Sequence, residues 1–241
     1  MASRRSTIDK DEADRFAALA QDWWDEEGAM APLHRMNPVR LAFLRDRLCA
    51  HFGRAGMRPF AGLKMLDVGC GAGLVCEPLA RLGATVTGID ATEAMVQAAR
   101  VHAKAMGLTV DYRVAAAEDL KQKFDAVIAL EVIEHVADRD LFLQSLCARV
   151  APHGAIVLST LNRTAKAFAM AIVGAEYVMR WLPRGTHDWA KFVKPSELSR
   201  GLAEHGFKIA ALEGMIYDPI GRDWHLGKDL GVNYLAFATR G

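Results

Sequence analysis

The sequence predicts an α/β fold, in which a doubly wound, mostly parallel sheet of seven strands is covered by helices on both faces. The first observation is that short apolar stretches alternate with longer amphipathic ones from residue 64 onward, at a pace typical of βαβ units. The second is a turn rich in glycine directly after the first of these stretches. With 241 residues, 51% of them hydrophobic, the chain is large enough for one domain with a sizeable core.

The order of the predicted elements follows from these patterns. Strands are predicted at residues 64–69, 85–90, 109–114, 124–130, 154–160, 207–213 and 231–238. Helices are predicted near residues 73–82, 92–106, 139–150 and 195–205. All of these elements belong to one domain that spans residues 1–241.

The first sixty residues predict a helical cap in front of the sheet. Apolar residues recur at helical spacing between residues 13 and 24, behind the start signal Ser6-Thr7. A second helix is predicted to begin at Asn37, whose side chain can cap it. Pro38 then stands at the first helical position, where its missing N–H costs nothing.

One insertion, residues 162–195, interrupts the alternation of strands and helices. Its middle predicts an apolar helix that is too short to span a bilayer. Its acidic residues are Glu176 and Asp188, against the basic residues Arg163, Lys166, Arg180, Arg184, Lys191 and Lys194. An apolar helix with cationic flanks is typical of a segment at a membrane interface, and a substrate lid is the other interpretation.

Composition excludes several classes of protein. A net charge of +1 argues against a nucleic-acid-binding protein that is held by a broad basic field. Four cysteines without a CxxC pair fit neither a zinc site nor a disulfide framework, so we expect reduced thiols and a cytoplasmic location. Because the N-terminus is polar, no signal peptide is predicted. The sequence contains no apolar run of 18 residues, so no membrane span is predicted either.

The glycine-rich turn, Gly69-Cys70-Gly71-Ala72-Gly73, predicts the cofactor. A dinucleotide site needs G-x-G-x-x-G, and here the third glycine comes one residue early. Asp67, directly before the turn, is badly placed for a pyrophosphate but well placed for an ammonium group. Asp90 ends the next predicted strand, where it can accept bonds from ribose hydroxyls. Together these residues favour S-adenosylmethionine; the alternative is a plain tight turn that Asp67 caps.

Two further groups of residues complete the candidate site. Ala117 and Glu118 follow the third strand, where we expect the adenine, although ordinary loop chemistry also explains them. Glu131, Glu134 and His135 follow the fourth strand and share one face if the segment turns helically. They predict a divalent-cation site, such as one for Mg²⁺, or a general base at His135. The alternative is that Glu131 and Glu134 only cap helices and that His135 only packs near the cofactor.

The whole chain resembles the ubiquinone-biosynthesis O-methyltransferases, a family within the class I S-adenosylmethionine-dependent methyltransferases, whose fold is Rossmann-like. "DVGCGAG" and "EVIEHV" are shared broadly within the class, whereas "WWDEEGAMAPLHRMNPVRL", "LPRGTHDWAKFVKP" and "LGVNYL" are more specific to the family. The resemblance implies cofactor contacts at Arg40, Gly69, Asp90 and Leu130, with Gly71 in the same corner and Arg40 on the methionyl carboxylate. It also implies a divalent-metal site at the E-x-x-E-H residues.

The resemblance further implies what the protein acts on and where. The expected substrates are the phenol and catechol hydroxyls of polyprenylated ubiquinone precursors, 2-polyprenyl-6-hydroxyphenol and 3-demethylubiquinol. The expected partners are an anionic membrane surface, which the protein would bind peripherally at the inner membrane, and other ubiquinone-biosynthesis proteins; no nucleic acid is expected. The alternatives are O-methylation of another small phenol or of an RNA 2′-hydroxyl, and a membrane scaffold that binds the cofactor without catalysis.

Overall fold

The computed structural model describes residues 5–170, 188–219, 221 and 223–241. The α-helices in these residues are α1 Lys10–Ala17, α2 Ala31–Phe52, α3 Cys76–Arg81, α4 Glu93–Ala105, α5 Arg139–Arg149, α6 Ala165–Ala167 and α7 Pro195–Ala203. The strands are β1 Lys64–Val68, β2 Thr85–Asp90, β3 Asp111–Val114, β4 Phe124–Leu130, β5 Val150–Leu161, β6 Phe207–Asp218, β7 Asp223–Gly227 and β8 Asn233–Arg240. Within the same residues, no helix is long and apolar enough to cross a membrane.

The strands of the described chain form one sheet of eight, in the order β3-β2-β1-β4-β5-β8-β6-β7. The first five strands in this order, β3, β2, β1, β4 and β5, are parallel to one another. The pairs β5–β8, β8–β6 and β6–β7 are antiparallel. The chain runs from β1 outward to β3 and then returns to β4 on the other side of β1. Ligands bind at the carboxyl ends of the strands where such an order reverses, so the topology locates the site beside β1 and β4.

The predicted α/β class with a mostly parallel sheet is confirmed, but the prediction of seven strands was wrong by one. The additional strand, β7, pairs with the far end of β6, which continues to Asp218 instead of ending at residue 213. In β7 only Trp224 and Leu226 pack against the core, and the strand lies at the edge of the sheet. Five half-exposed residues of this kind carry too little of the apolar pattern to be recognised.

Helices cover both faces of the sheet, as the term doubly wound requires. Neighbouring residues of β1 point to opposite faces: Met65 belongs to the core cluster that includes Phe43 and Leu44 of α2, and Leu66 belongs to the cluster that includes Phe142 of α5. The interior positions of β4 are buried on both sides. Parallel strands that are covered in this way read as continuous apolar runs, which is why β1 and β4 were found from the sequence.

The helix starts predicted in the N-terminal cap were wrong. α1 is capped by Asp9, whose side chain accepts hydrogen bonds from two backbone N–H groups of the first turn. α2 begins six residues before Asn37, with a proline at its start, and includes Pro38 in its interior. Asn37 is buried inside α2, and its Nδ2 donates to the carbonyl of Leu74, 3.0 Å away. The side chain thus holds the loop after β1, which leaves it no role as a cap.

Residues 171–187, half of the insertion predicted at residues 162–195, lie outside the described residues, and most of the predicted apolar helix falls within them. The parts that are described are tied to the body of the protein. Three of the basic residues form ion pairs: Arg163 with Glu197, Lys166 with Asp229, and Lys191 with Asp9 and Glu12. Their charges are therefore partly neutralised by the protein itself.

Candidate functional site

A cavity of about 430 Å³ opens at the carboxyl ends of β1, β2 and β4, where the strand order reverses. Almost all the predicted site residues line it: Arg40, Asp67, Gly69, Gly71, Asp90, Ala117, Leu130, Glu131, Glu134 and His135. The fold therefore brings together side chains that are up to 95 positions apart in the sequence. Glu118 is the one predicted residue that is not part of the lining.

The glycine-rich turn at residues 69–73, called the glycine corner below, lines the cavity. It leaves β1 in a conformation that only glycine adopts easily. Gly69 has φ +69° and Gly71 has φ +51°. A Cβ on Gly71 would lie 2.6 Å from Cζ2 of Trp23, and one on Gly69 would lie 2.6 Å from Cγ2 of Val132. The cap and the loop after β4 therefore pack directly on the corner. Trp23, in the N-terminal cap, belongs to this packing.

Asp90 is fixed at the end of β2 by bonds from two sides. One carboxylate oxygen accepts from the backbone N–H of Gly71 at 3.0 Å, and the other accepts from the N–H and the hydroxyl of Thr92 at 3.0 and 3.1 Å. Burial raises the pKa of Asp90. A carboxylate offers about four lone-pair positions, so the oxygen that faces Gly71 retains one for a ligand hydroxyl.

Asp67 and Arg40 place opposite charges in the wall of the cavity. Asp67 accepts a bond from the thiol of Cys76 at 3.1 Å, and burial raises the pKa of Asp67 to about 7. Arg40 is buried, and its Nε and Nη2 have no hydrogen-bond partner. Burial lowers the pKa of Arg40, and the neighbouring carboxylates of Glu131, Glu134 and Asp67 oppose that effect. A buried guanidinium with unused donors is ready for an anionic ligand group.

The E-x-x-E-H residues point to different protein partners. Glu131, at φ +54°, receives a 2.7 Å bond from the Ser159 hydroxyl. Glu134 is buried, accepts from the Thr160 hydroxyl at 2.9 Å, and has its pKa raised by burial to about 7. Among the residues that the structure describes, no group of three potential ligands is arranged to hold a metal ion. The cation site predicted at Glu131, Glu134 and His135 stays a prediction.

His135 is held by a residue that sequence reasoning missed. Its Nδ1 lies 3.2 Å from Oε2 of Glu12 in α1, and the ring of Phe16 meets the imidazole edge-on at 5.1 Å. Burial lowers the pKa of His135, but the bond to Glu12 and the nearby carboxylates outweigh burial and raise it. Conversely, the bond to His135 lowers the pKa of Glu12 to about 2. The signal was the i, i+4 spacing of Glu12 and Phe16 on one helical face.

Glu118, which was predicted as a cofactor contact, is bonded to the N-terminal segment in this structure. Its two carboxylate oxygens accept bonds from the backbone N–H and the hydroxyl of Thr7, both at 2.8 Å. The carbonyl of Thr7 accepts in turn from the N–H of Ala137. These bonds draw the residues before α1 across the loops after β3 and β4. Glu118 therefore anchors the N-terminal segment, while its neighbour Ala117 faces the cavity.

Much of the remaining cavity wall is apolar. It is formed by the start of α2, by the antiparallel end of the sheet and by the residue that precedes the undescribed segment. These lining residues include Met30, Leu33, Met36, Met170, Met215 and Trp224. Methionine side chains are flexible and polarizable, so such a wall can adapt to an apolar ligand of irregular shape.

The residues present fit S-adenosylmethionine better than a phosphate-containing nucleotide. The glycine corner lies between two carboxylates, Asp67 and Asp90, which would repel a pyrophosphate but suit an ammonium group and ribose hydroxyls. The unpaired donors of Arg40 suit the carboxylate of the same cofactor. On a doubly wound sheet, such a site defines a class I S-adenosylmethionine-dependent methyltransferase.

Comparison with known proteins identifies the family more closely. A family described as a methyltransferase domain matches residues 40–212. The ubiquinone biosynthesis O-methyltransferase of Chelativorans sp. (strain BNC1) is 49% identical over 243 residues, covering 99% of this chain and 96% of that protein. The one from Azorhizobium caulinodans is 52% identical over 234 residues, covering 95% and 92%. The chain therefore belongs to the family of ubiquinone biosynthesis O-methyltransferases.

Solved structures support the fold. The crystal structure of magnesium protoporphyrin IX methyltransferase from Synechocystis PCC 6803 with bound S-adenosylhomocysteine superposes with a TM-score of 0.67. The match covers 96% of this chain and 99% of that one at 21% identity. The same enzyme with bound S-adenosylmethionine gives a TM-score of 0.65.

Proposed function

We propose that this protein transfers a methyl group from S-adenosylmethionine to a phenolic hydroxyl of polyprenylated ubiquinone precursors. The observation that carries the proposal is that one cavity is lined both by the polar glycine corner and by an apolar, methionine-rich wall. His135 lines the same cavity. Residues for binding a methyl donor, a base and a surface for an apolar substrate therefore line a single cavity. The names of the relatives supply the substrate class.

Binding of the cofactor depends on charges that are already in place. When bound, the cofactor supplies an electrophilic methyl group on a positively charged sulfur. Arg40 would hold its carboxylate, Asp67 would face its ammonium group, and Asp90 would accept from its ribose hydroxyls. Gly69 and Gly71 let the backbone approach closely. Fixing both reactants in line for displacement is itself a large source of rate enhancement. The transfer requires no covalent enzyme intermediate.

Deprotonation of the phenol is assigned to His135. A free phenol has a pKa of about 10, and lowering it by about 3 units requires about 4 kcal/mol of preference for the phenolate. An imidazole that accepts the proton as the oxygen attacks removes the need for a free phenolate. The raised pKa of His135 makes it a stronger base, as long as the neutral form is populated.

A divalent cation has no assigned step in this proposal. Glu131 and Glu134 accept bonds from Ser159 and Thr160, and His135 faces Glu12, so each of the three side chains has a protein partner. With His135 as the base, the reaction is expected to survive a chelator. The chelator arm of the experiment below tests this directly.

The test is methyl transfer from labelled S-adenosylmethionine to a demethylated quinol with a short prenyl tail, with and without EDTA. We expect labelled product in both arms, and a loss of about 10²- to 10⁴-fold in kcat for His135→Ala. His153→Ala, at an exposed position of β5, is the matched control. Cofactor binding without labelled quinol would contradict the proposal and favour a membrane scaffold that binds the cofactor without catalysis. Labelling of an RNA 2′-hydroxyl instead would favour O-methylation of RNA.

The protein is further proposed to bind the inner membrane peripherally from the cytoplasmic side, where its apolar substrate and other enzymes of the pathway would meet it. Phe168, Met170 and Trp189, which flank the undescribed residues 171–187, are exposed and apolar. Exposed apolar side chains of this kind are typical of interaction surfaces. Flotation with anionic and neutral vesicles tests the proposal, and unchanged flotation of the Trp189→Ala and Phe168→Ala double variant would contradict this placement.

A further inference from the structure

We infer that Glu12 is a positioning residue for methyl transfer, which holds the imidazole of His135 so that its Nε2 is the nitrogen that accepts the phenolic proton. The inference rests on the proposed function, because it assigns a partner to the proposed base. Glu12 lies 123 positions before His135 in the sequence. Only the docking of α1 over the loop after β4 brings the two side chains together.

The contact between Glu12 and His135 is specific in its atoms. Oε2 of Glu12 faces Nδ1 of His135 at 3.2 Å. An ionised carboxylate has no proton to donate and can only accept, so Nδ1 must carry the hydrogen. The neutral imidazole then has its lone pair on Nε2. A carboxylate that holds Nδ1–H in this way also stabilises the imidazolium that forms when Nε2 takes a proton.

Glu12 is itself held in place, which a positioning role requires. Its other carboxylate oxygen, Oε1, lies 3.2 Å from Nζ of Lys191. Lys191 also contacts Oδ2 of Asp9 at 3.3 Å, and its carbonyl accepts a bond from the guanidinium of Arg139. The Glu12 side chain is largely buried, so these bonds are weakly screened by solvent. Oε2 therefore serves the base, while Oε1 contacts Lys191 on the segment before α7 and lies 3.7 Å from Nη1 of Arg15 in α1.

The hydrogen-bond geometry also explains a buried acid on an otherwise apolar helical face. A buried carboxylate is costly unless it is paired, and Ala13 and Phe16 beside it line the cavity as ordinary apolar residues. Helix packing alone would be served by a leucine at position 12. Pairing with Lys191 alone would be served by an exposed acid. A positioning role explains why the acid at position 12 is buried between the ring of His135 and Lys191.

The first experiment observes the tautomer without using activity. In protein labelled with ¹⁵N-histidine, two-bond ¹⁵N–¹H spectra report which ring nitrogen carries the proton, and His135→Ala identifies the signal among the eight histidines. We expect the neutral ring of His135 to be protonated at Nδ1, and Glu12→Ala to shift it toward the Nε2-protonated form. A neutral His135 with its proton on Nε2 in the unaltered protein would overturn the inference, whatever the substrate proves to be.

The second experiment measures kinetics of the intact enzyme with the short-chain quinol. Glu12→Gln is expected to lower kcat by about 10- to 100-fold, with KM for both substrates changed less than about threefold. The double variant with His135→Ala should lose no more than His135→Ala alone, because Glu12 acts through that ring. Asp14→Asn, an exposed acid of the same helix, is the control. Additive losses, or a change in KM alone, would overturn the inference. Turnover absent from the unaltered enzyme would instead contradict the proposed function.

Discussion

Replacing Arg40 by methionine tests how the cavity recognises the cofactor. The guanidinium is buried in the wall of the cavity, and its Nε and Nη2 have no protein partner. Three carboxylates, those of Asp67, Glu131 and Glu134, act on its charge. Methionine keeps much of the volume but supplies neither donors nor charge. The carboxylate of the bound cofactor would then face these three acids without a cation between them.

The magnitude follows from the two unused donors. A hydrogen bond to a charged group contributes about 1.5–3 kcal/mol, so two such bonds amount to at least about 3 kcal/mol. Since 1.4 kcal/mol is tenfold in affinity, Arg40→Met should raise Kd for S-adenosylhomocysteine by about 100-fold or more. Arg40→Lys keeps the charge but loses the forked pair of donors, so an intermediate loss is expected.

Calorimetry with two ligands isolates the effect. S-adenosylhomocysteine carries the amino-carboxylate group, whereas 5′-methylthioadenosine lacks it but keeps the adenosine. Arg40→Met should weaken binding of the first ligand strongly and that of the second less than about threefold. Arg45→Met, at an exposed position of the same helix, should change neither. Equal losses for both ligands would refute the reasoning, because Arg40 would then support the fold of the site rather than the carboxylate.

Two further predictions concern stability. Because burial raises the pKa of Asp67 from 3.8 to about 7, the folded state keeps a proton that the unfolded state has released between these values, and stability falls as pH rises through that window. The loss of stability amounts to about 4 kcal/mol, and Asp67→Asn should remove it. Thermal unfolding of the ligand-free variant should therefore depend less on pH between 5 and 8. An unchanged pH profile would contradict Asp67 as the origin of the pH dependence. Gly71→Ala should lower both Tm and cofactor affinity, because its Cβ would meet Trp23 in a left-handed conformation. Gly107→Ala, with φ +67° and open space around it, should cost only about 1–2 kcal/mol of backbone strain and leave affinity unchanged; equal effects of the two substitutions would contradict the packing argument.

Much of the candidate site was predictable because it is local in the sequence. Asp67 lies near the end of β1, Gly69 directly follows that strand, and Asp90 ends β2. In a parallel sheet, the ends of neighbouring strands must meet at one edge, so strand assignment alone brings these residues together. Leu130 and Ala117 follow by the same rule. The register of β1 against β2 places the two acids on adjacent strands.

Other roles depended on partners that the local pattern does not specify. Glu118 stands in the predicted loop, but its carboxylate is taken by Thr7, which is 111 positions away. Glu131, Glu134 and His135 have the spacing of a ligand set, but that spacing does not reveal their bonding partners, which are Ser159 and Thr160 of β5 and Glu12 of α1. The start of α2 was misplaced because Asn37 has a better use inside the structure, on the carbonyl of Leu74, than at a helix terminus.

The amino-acid order by itself determined the α/β class, the glycine corner and its two acids, because these depend on periodicity and on backbone conformations that few residues adopt. Only the tertiary structure decided that Arg40 is buried with unused donors and that Glu12 meets His135. Such pairings are contacts between helices and loops far apart in the chain. They are fixed by how the N-terminal cap packs onto the sheet, which no local pattern records.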